Sequence, residues 1–167
     1  MVALVSDRDC PELVGTVLGK REKQYYQAVL SLPFDNLNFI RTRYLQVLFA
    51  LKQVEDHPGV YTGEQFAMGY LLDRLAQTNQ VQMLSHPALE KLKQHDAQRG
   101  SELFDTLYQY LLHERSVLKG SEALHIHKNS FLYRMQRIRE ITGLNLEEPL
   151  ERTYLLLSYL LQKTESQ

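Results

Sequence analysis

Apolar residues recur at helical spacing along most of the chain, and short polar breaks separate the periodic stretches. Residues 1–9 begin with an apolar run that suits one short strand, and the pattern from Pro11 to about Leu30 is helical. The next periodic stretch, residues 37–54, predicts a second helix. Its regularly spaced apolar positions are Leu37, Ile40, Tyr44, Val47, Leu48 and Leu51.

Turn-forming residues at 57–59 end that helix, and Val60-Tyr61 suits a short strand. Thr62 then stands where a helix N-cap is expected, with Gln65 three residues later, which is the spacing of a capping box. The pattern predicts a helix from Thr62 to about Gln77. The residues predicted to face inward on this helix are Phe66, Tyr70, Leu71 and Leu75.

A further helix is predicted from Ser85-His86-Pro87 to about Arg99, where Gly100 ends it. Ser101 is predicted to cap the helix after that, which extends to about His113.

The next segment has the layout of a helix-turn-helix. A short helix is predicted over about 116–124 and a longer one over about 128–142, joined by His125-Ile126-His127. A short helix, a tight turn and a longer helix in this order are typical of helix-turn-helix domains that bind DNA. We predict that Ile126 fills the space between the two helices and that the small Ser121 allows their close approach. His127 is predicted to cap the longer helix.

The helix predicted over residues 128–142 has one narrow apolar face. At about 100° per residue, Phe131, Met135, Ile138 and Thr142 fall together and are predicted to face the core. The opposite side carries amide, hydroxyl, phenol and guanidinium groups, which are the groups that bind base edges and phosphates. Its residues are Asn129, Ser130, Tyr133, Gln136, Arg137 and Glu140, with Arg134 on one flank and Leu132 and Arg139 on the other.

Positive charge is concentrated in the same helix. Residues 127–142 contain four Lys or Arg and one acid, a net charge of +3, whereas the whole chain of 167 residues has a net charge of −1. The rest of the chain therefore carries −4. This segregation is typical of a near-neutral protein with one helix that contacts nucleic acid.

The last predicted helix, about 148–163, is apolar almost all round. Its apolar positions are Leu150, Tyr154, Leu157 and Leu161 in one stripe, with Leu155, Leu156 and Leu160 beside it. Such a helix must bury more than one face. One face can pack on the helix-turn-helix, and the other requires a partner, either residues 1–100 or a second subunit. A homodimer is physically sensible because two-fold symmetry doubles the contact with DNA.

Composition limits the class of protein. The chain is 44% hydrophobic and 23% charged with few Gly and Pro, which excludes a mostly disordered protein. The predicted fold is mainly α, with a C-terminal helix-turn-helix bundle and a small α(+β) N-terminal part. The single cysteine, Cys10, excludes an internal disulfide framework. No secretory signal is visible, and the longest nearly apolar run, Tyr154–Leu161, is too short to span a membrane, so a cytoplasmic protein is predicted.

No chemistry of catalysis is visible in the sequence. There is no phosphate-binding loop, no nucleophile motif and no zinc spacing, and His113, His125 and His127 lack the spacing of metal ligands. We therefore predict a protein that is not an enzyme and that holds no cofactor or metal.

The segment SEALHIHKNSFLYRMQRIREITGLNLEEPLERTYLLLSYLL resembles the C-terminal DNA-binding domain of the PucR/CdaR family of bacterial transcription regulators. The residues that carry the resemblance are Ala123, Leu124, Ile126, His127, Asn129, Ser130, Tyr133, Arg134, Arg137, Ile138, Thr142, Gly143, Leu144, Asn145 and Leu146. The chain departs from the family pattern at three places. Leu132 replaces a polar residue, Gly120-Ser121 replaces a Thr-Ala pair, and Glu114-Arg115 replaces a glycine-containing pair before the short helix.

The resemblance implies sequence-specific binding to double-stranded DNA, with helix 128–142 in the major groove. Asn129 and Ser130 would approach base edges, with Tyr133 and Arg137 beside them, and Lys128 and Arg134 would bind phosphates.

The resemblance also implies a division of the chain. Residues 1–100 would be a partial GGDEF-like or helical regulatory region, and residues 101–167 would be the DNA-binding domain. A sensor domain for a small-molecule effector normally precedes these parts in the family and is not present in this chain.

A second hypothesis is a helical protein-interaction module that does not bind DNA. It would keep the scaffold and use Leu132 and the apolar last helix for protein contacts. A salt titration on duplex DNA distinguishes the two hypotheses, because genuine DNA binding weakens steeply with salt.

Overall fold

A computed structural model describes residues 27–55, 57–78, 83 and 85–165. The fold is mainly α with one small sheet, as predicted. Spatial contacts divide the chain into two units, Met1–Leu71 and Leu72–Gln167. The boundary that we predict between residues 100 and 101 stays a prediction. The strand predicted over residues 1–9 lies outside the described residues, and so does Cys10.

The first unit contains a two-stranded parallel sheet. Strand β1 (Gln27–Leu30) pairs with strand β2 (Gly59–Thr62), with Gln27 opposite Gly59 and Leu30 opposite Thr62. Parallel strands need a long connection between them. Here a 3₁₀ turn at Leu37–Phe39 and helix α1 (Ile40–Gln53) provide it.

The strand at Gln27–Leu30 corrects one prediction. The sequence pattern predicts a helix up to about Leu30, and this is wrong for its last four residues; the rest of that stretch lies outside the described residues. A short apolar run fits a strand as well as a helix, and the backbone partners supplied by β2 decide between them. The strand predicted at Val60-Tyr61 is confirmed within β2.

The predicted helix over residues 37–54 is confirmed as the 3₁₀ turn followed by α1. Burial is confined to its C-terminal part, where Ala50 and the following Val54 are buried. At the N-terminal end Leu37, Ile40 and Tyr44 are exposed.

The capping box at Thr62 is confirmed, with the Thr62 backbone N–H donating to Gln65 Oε1 at 3.1 Å. A 3₁₀ turn at Gly63–Phe66 follows, and helix α2 (Ala67–Ala76) begins after it. Phe66, Tyr70 and Leu75 are half-buried, in agreement with the prediction. The prediction that Leu71 faces inward is wrong, because Leu71 is exposed and Leu72 is buried against Leu161.

The second unit is a helical bundle. Its helices are α3 (Pro87–Arg99), α4 (Leu103–Leu112), α5 (Val117–Ala123), α6 (Lys128–Thr142) and α7 (Pro149–Glu165). Helix α4 is central and packs against each of the other four. The fully buried side chains of the core are Leu89, Leu92, Leu107, Phe131, Ile138, Leu155 and Tyr159.

The junction between α3 and α4 corrects the prediction that Ser101 caps α4. Gly100 ends α3 in the left-handed conformation, as predicted (φ 62°). The first turn of α4 is capped by Asp96, whose carboxylate accepts from Leu103 N at 3.0 Å and Phe104 N at 2.8 Å. The predicted cap, Ser101, instead donates its hydroxyl to Asp96 Oδ1 at 2.6 Å. A carboxylate can accept several bonds at once, so it displaces the weaker hydroxyl from this role.

Helix α7 buries two faces, as its composition predicts. Leu155 and Tyr159 join the main core, and the Tyr159 hydroxyl donates to Phe104 O at 2.8 Å. Burial raises the pKa of the Tyr159 phenol far above its usual range. On the other face Leu161 packs against Leu72, which lies in the C-terminal half of α2 and belongs to the same unit. The second face is thus covered by residues within 1–100, which was one of the two predicted alternatives.

The predicted apolar stripe on α7 is wrong at its N-terminal end. Leu150 and Tyr154 are exposed, and burial follows Leu155 and Tyr159 instead. Among the described residues, no helix combines the length and the apolar character needed to cross a membrane.

Candidate nucleic-acid interface

Helices α5 and α6 form the predicted helix-turn-helix. The turn between them passes through His125 in the left-handed conformation (φ 54°), and the backbone N–H of Ile126 donates to Ser121 O at 3.0 Å. Ile126 is half-buried against the core, which confirms its predicted place between the helices. The turn therefore holds α6 at a fixed angle to α5.

The close approach of the two helices depends on Gly120 as well as Ser121. Both residues are buried. A β-carbon at residue 120 would lie 2.6 Å from Cζ of Phe131 on α6, which is closer than atoms can approach. From the sequence alone, only the unfavourable helix propensity of this glycine is apparent, about 1 kcal/mol relative to alanine. Its packing role becomes visible only when Phe131 is placed opposite.

Helix α6 begins and ends as predicted. His127 caps it, with Nδ1 accepting from the Asn129 backbone N–H at 3.2 Å, and Gly143 ends it in the left-handed conformation. Phe131, Met135 and Ile138 are buried, which confirms the predicted core face. One helix therefore has a firmly anchored side and a side turned away from the core.

The polar side of α6 is accessible to solvent. Lys128, Asn129, Ser130 and Tyr133 are exposed, and Tyr133 keeps 64% of its surface. Arg134 and Arg137 are only partly exposed, since each guanidinium lies against a carboxylate of the same unit.

Five of the six predicted site residues line one cleft of about 490 Å³. From α6 these are Asn129, Ser130, Tyr133, Arg134 and Arg137. The opposite wall comes from the α3–α4 junction and is formed by His95, Ser101, Glu102 and Leu103. Lys128, the sixth predicted residue, is not part of the lining. The cleft is open, and its lining side chains include the Asn129 amide and the guanidinium groups of Arg134 and Arg137, which can donate hydrogen bonds to a ligand.

The two arginines of the cleft differ in their partners. Arg134 Nη1 donates to Glu102 Oε2 at 2.9 Å and to Thr106 Oγ1 at 3.4 Å. Glu102 lies on the opposite wall of the cleft, just before α4, and Thr106 is a buried residue of α4. Arg137 pairs with Glu140 of its own helix at 2.5 Å. Exposed pairs such as the second contribute little to stability, so the guanidinium can change partners at small cost.

Sequence reasoning missed the far wall of the cleft. His95, Ser101 and Glu102 precede α6 by about 30 residues, and no spacing in the sequence connects them to it. His95 Nδ1 lies 3.0 Å from Ser101 Oγ. Because the Ser101 hydroxyl proton goes to Asp96, His95 Nδ1 is the donor in this contact. No group of His, Cys, Asp and Glu side chains in the described parts of the chain is arranged to hold a metal ion.

The geometry of α5, the turn and α6 is that of a helix-turn-helix domain. Residues 103–161 match the family described as the PucR C-terminal helix-turn-helix domain. The PucR part of the resemblance is confirmed over this segment. The CdaR subtype and the GGDEF-like region stay predictions.

Two curated relatives come from Bacillus subtilis (strain 168). The chain is 33% identical over 92 residues to the proline-responsive transcriptional activator PutR, covering 55% of this chain and 22% of the relative. It is 25% identical over 118 residues to the DNA-binding transcriptional activator AdeR, covering 68% of this chain and 28% of the relative. The matches therefore span about a quarter of the relatives' length. No solved structure gives a significant match.

Proposed function

We propose that this chain is a sequence-specific DNA-binding regulator of transcription that inserts α6 into the major groove. The observation that carries the proposal is the two-sided character of α6. Its apolar side is buried, while Asn129, Ser130, Tyr133 and Arg137 line the open cleft on its other side. The family match over residues 103–161 and the two activators support the same conclusion.

The dimensions of α6 are compatible with this role. An α-helix with its side chains is about 10–12 Å wide, and the major groove is about 12 Å wide. The N-terminal residues of a recognition helix commonly contact base edges. In the proposed complex Asn129 and Ser130 approach the bases, because they follow directly after the capped start of the helix. An asparagine amide can pair with the N6 and N7 edge of adenine.

Arg137 is proposed to contact a base about two helical turns further along α6, with Tyr133 between. A guanidinium can donate two parallel hydrogen bonds to guanine, which discriminates by about 1–3 kcal/mol. To do so Arg137 must leave Glu140, and an exposed pair within one helix contributes only about 0.2–0.5 kcal/mol. The pair with Glu140 is therefore a small obstacle to a base contact.

Lys128 and Arg134 are proposed to bind phosphates. Lys128 is exposed at the start of α6, and no acid among the described residues lies within ion-pair distance of it. Such contacts position a helix in the groove and add affinity without selecting a sequence.

The proposed regulator is a cytoplasmic bacterial homodimer. A single α6 covers few base pairs, and two copies related by two-fold symmetry would recognise a palindromic site. Residues 1–100 are proposed to be a partial GGDEF-like regulatory region, and residues 101–167 the DNA-binding domain. A small-molecule effector would act through a sensor domain of a longer protein.

One observation favours the alternative of a protein-interaction module. Leu132 is 46% exposed on the flank of α6, where a leucine contributes nothing to phosphate binding. In that case α6 would present Leu132 to another protein, and the helix would have no affinity for DNA.

Selection of duplexes from a random library by the whole chain, followed by a salt titration, tests the proposed function. We expect an enriched sequence for which the logarithm of the binding constant falls linearly with the logarithm of salt concentration between about 50 and 200 mM. A scrambled duplex of equal length is the control and should bind far more weakly. Absent or salt-insensitive binding to both duplexes would favour the interaction module. Equal, salt-sensitive binding to both would refute the sequence specificity.

A further inference from the structure

Glu102 and Arg134 form a contact across the cleft between two different elements. Glu102 lies just before α4, whereas Arg134 lies in the middle of α6, and Glu102 Oε2 is 2.9 Å from Arg134 Nη1. The Glu102 side chain is 64% exposed and that of Arg134 only 24% exposed. The carboxylate thus lies nearer to solvent and the guanidinium deeper in the wall of the cleft.

The hydrogen bonds of this arginine are divided unequally. Nη1 has two N–H groups, and both have acceptors, Glu102 Oε2 and Thr106 Oγ1. Thr106 is fully buried, and its own hydroxyl donates to Glu102 O at 2.6 Å, so its oxygen is left to accept from Arg134. Across the described part of the chain, Arg134 makes no hydrogen bond through Nε or Nη2. Three of the five guanidinium N–H groups therefore have no acceptor among the described residues.

We propose that Glu102 is a positioning residue that holds Arg134 ready to bind one phosphate of the DNA backbone inside the cleft. This inference rests on the proposed function. It adds to that function a role for Glu102, which fixes the orientation of the Arg134 guanidinium. An arginine that is already ordered loses less side-chain freedom when it binds. A helix in the major groove brings its flanks close to the backbone strands, and Arg134 lies on such a flank.

The direction in which DNA affinity changes when Glu102 is removed distinguishes this role from a purely electrostatic effect. Glu102 carries a negative charge at the edge of a cleft that would receive a polyanion, so by charge alone its removal should strengthen DNA binding. If Glu102 positions Arg134, its removal should weaken binding in spite of the improved charge. The two expectations are opposite and can be measured.

The test compares Glu102→Ala with the unaltered whole chain on the selected duplex. We expect the dissociation constant to rise about 2- to 10-fold, the cost of ordering one free arginine side chain. Glu102→Gln keeps one acceptor oxygen and should recover part of the loss. In a chain that already carries Arg134→Ala, the Glu102→Ala change should no longer weaken binding. The Glu102 side chain makes no helix cap, and circular dichroism confirms that each variant is folded.

Glu147→Gln is the matched control. It removes one negative charge and one ion pair, that with Arg115 at 2.7 Å, and Glu147 is not part of the cleft. The dissociation constant of the Glu147→Gln variant should equal that of the unaltered chain or be lower. Tighter binding by Glu102→Ala, or the same loss with and without Arg134, overturns the positioning role alone. Absence of DNA binding by the unaltered chain overturns the proposed function and this inference with it.

Discussion

The ring of Phe131 occupies the space in which a side chain at residue 120 would begin. Cζ and Cε2 of Phe131 lie 2.6 and 2.9 Å from the ideal β-carbon position of Gly120. Phe131 is fully buried and also contacts the ring of Tyr110, so it has little freedom to move. The ring of Phe131 on α6 fits only because residue 120 on α5 is glycine. A change at either residue therefore alters the packing of the other.

Gly120→Ala should destabilise the domain although alanine favours helix. Overpacking a core costs about 1–3 kcal/mol, and the gain in helix propensity is about 1 kcal/mol. We therefore expect a net loss of about 1 kcal/mol in the free energy of unfolding by urea denaturation. The same loss should be partly cancelled by Phe131→Leu in the double variant, because the smaller side chain makes room for the new methyl group.

Glu122→Ala on the exposed side of α5 is the control, since it raises helix propensity without meeting Phe131. It should leave stability nearly unchanged or slightly raised. Strictly additive effects of the Gly120 and Phe131 changes would contradict the packing relation, because residues in contact show coupling of about 0.5–3 kcal/mol.

His125→Gly should stabilise the turn between α5 and α6. His125 has a positive φ of 54°, a conformation that costs an ordinary L-residue roughly 1–2 kcal/mol and glycine almost nothing. Part of this gain is lost because glycine has more conformational freedom in the unfolded chain. We therefore expect the free energy of unfolding, measured by heat or urea, to rise by about 0.5–1 kcal/mol. His125→Ala keeps the β-carbon and is the matched control. A gain as large for alanine as for glycine would show that backbone strain is not the cause.

The cap of α3 should make stability depend on pH. His86 Nδ1 accepts from the Ala88 backbone N–H at 3.1 Å, which requires this nitrogen to be unprotonated. Burial lowers the pKa of His86, Lys91 lowers it further, and Glu151 opposes both. The unfolded chain therefore binds the proton more readily, with a pKa of 6.5. Stability from this residue is complete above pH 6.5 and is lost as the pH falls toward the lower pKa of the folded protein.

Urea denaturation between about pH 5 and 8 measures this effect. His86→Asn provides the control, because asparagine is a good N-cap that does not titrate in this range. We expect the slope of stability against pH to be smaller in the variant than in the unaltered chain. Identical slopes in the two proteins would eliminate His86 as the responsible group.

Arg137 and Lys128 should contribute differently to DNA binding. Arg137→Ala should weaken binding to the selected duplex by about 1–3 kcal/mol and relax selectivity at one base pair. Lys128→Ala should weaken binding to all sequences alike and reduce the salt slope by about one. Fluorescence anisotropy on matched and mismatched duplexes separates these outcomes. An affinity for the selected duplex that Arg137→Ala leaves unchanged would refute the proposed base contact.

The helices of the second unit can be predicted from the sequence, because each contains local features that mark a helix and its ends. Periodic apolar positions and caps such as His127 and Gly143 fix the ends of α6 without reference to the rest of the chain. The short strand β1 does not follow, because four apolar residues become a strand only where β2 supplies hydrogen-bond partners. The outer face of α6 was predicted in the same way as its core face. The opposite wall of the cleft was not, since Glu102 reaches Arg134 only through the packing of α4 on α6.

The packing of α3 has a practical consequence for anyone who dissects this chain. Leu89 and Leu92 are fully buried in the same core as Phe131, and Asp96 supplies the acceptors for the first turn of α4. A fragment trimmed to the residues that match the family, 103–161, would lack all three residues. It would expose to solvent the core side chains that Leu89 and Leu92 cover. A piece that keeps the contacts of α3 begins ahead of Pro87, and one that also keeps the packing of Leu161 on Leu72 must include α2. Crystallisation with DNA should start from the longer piece.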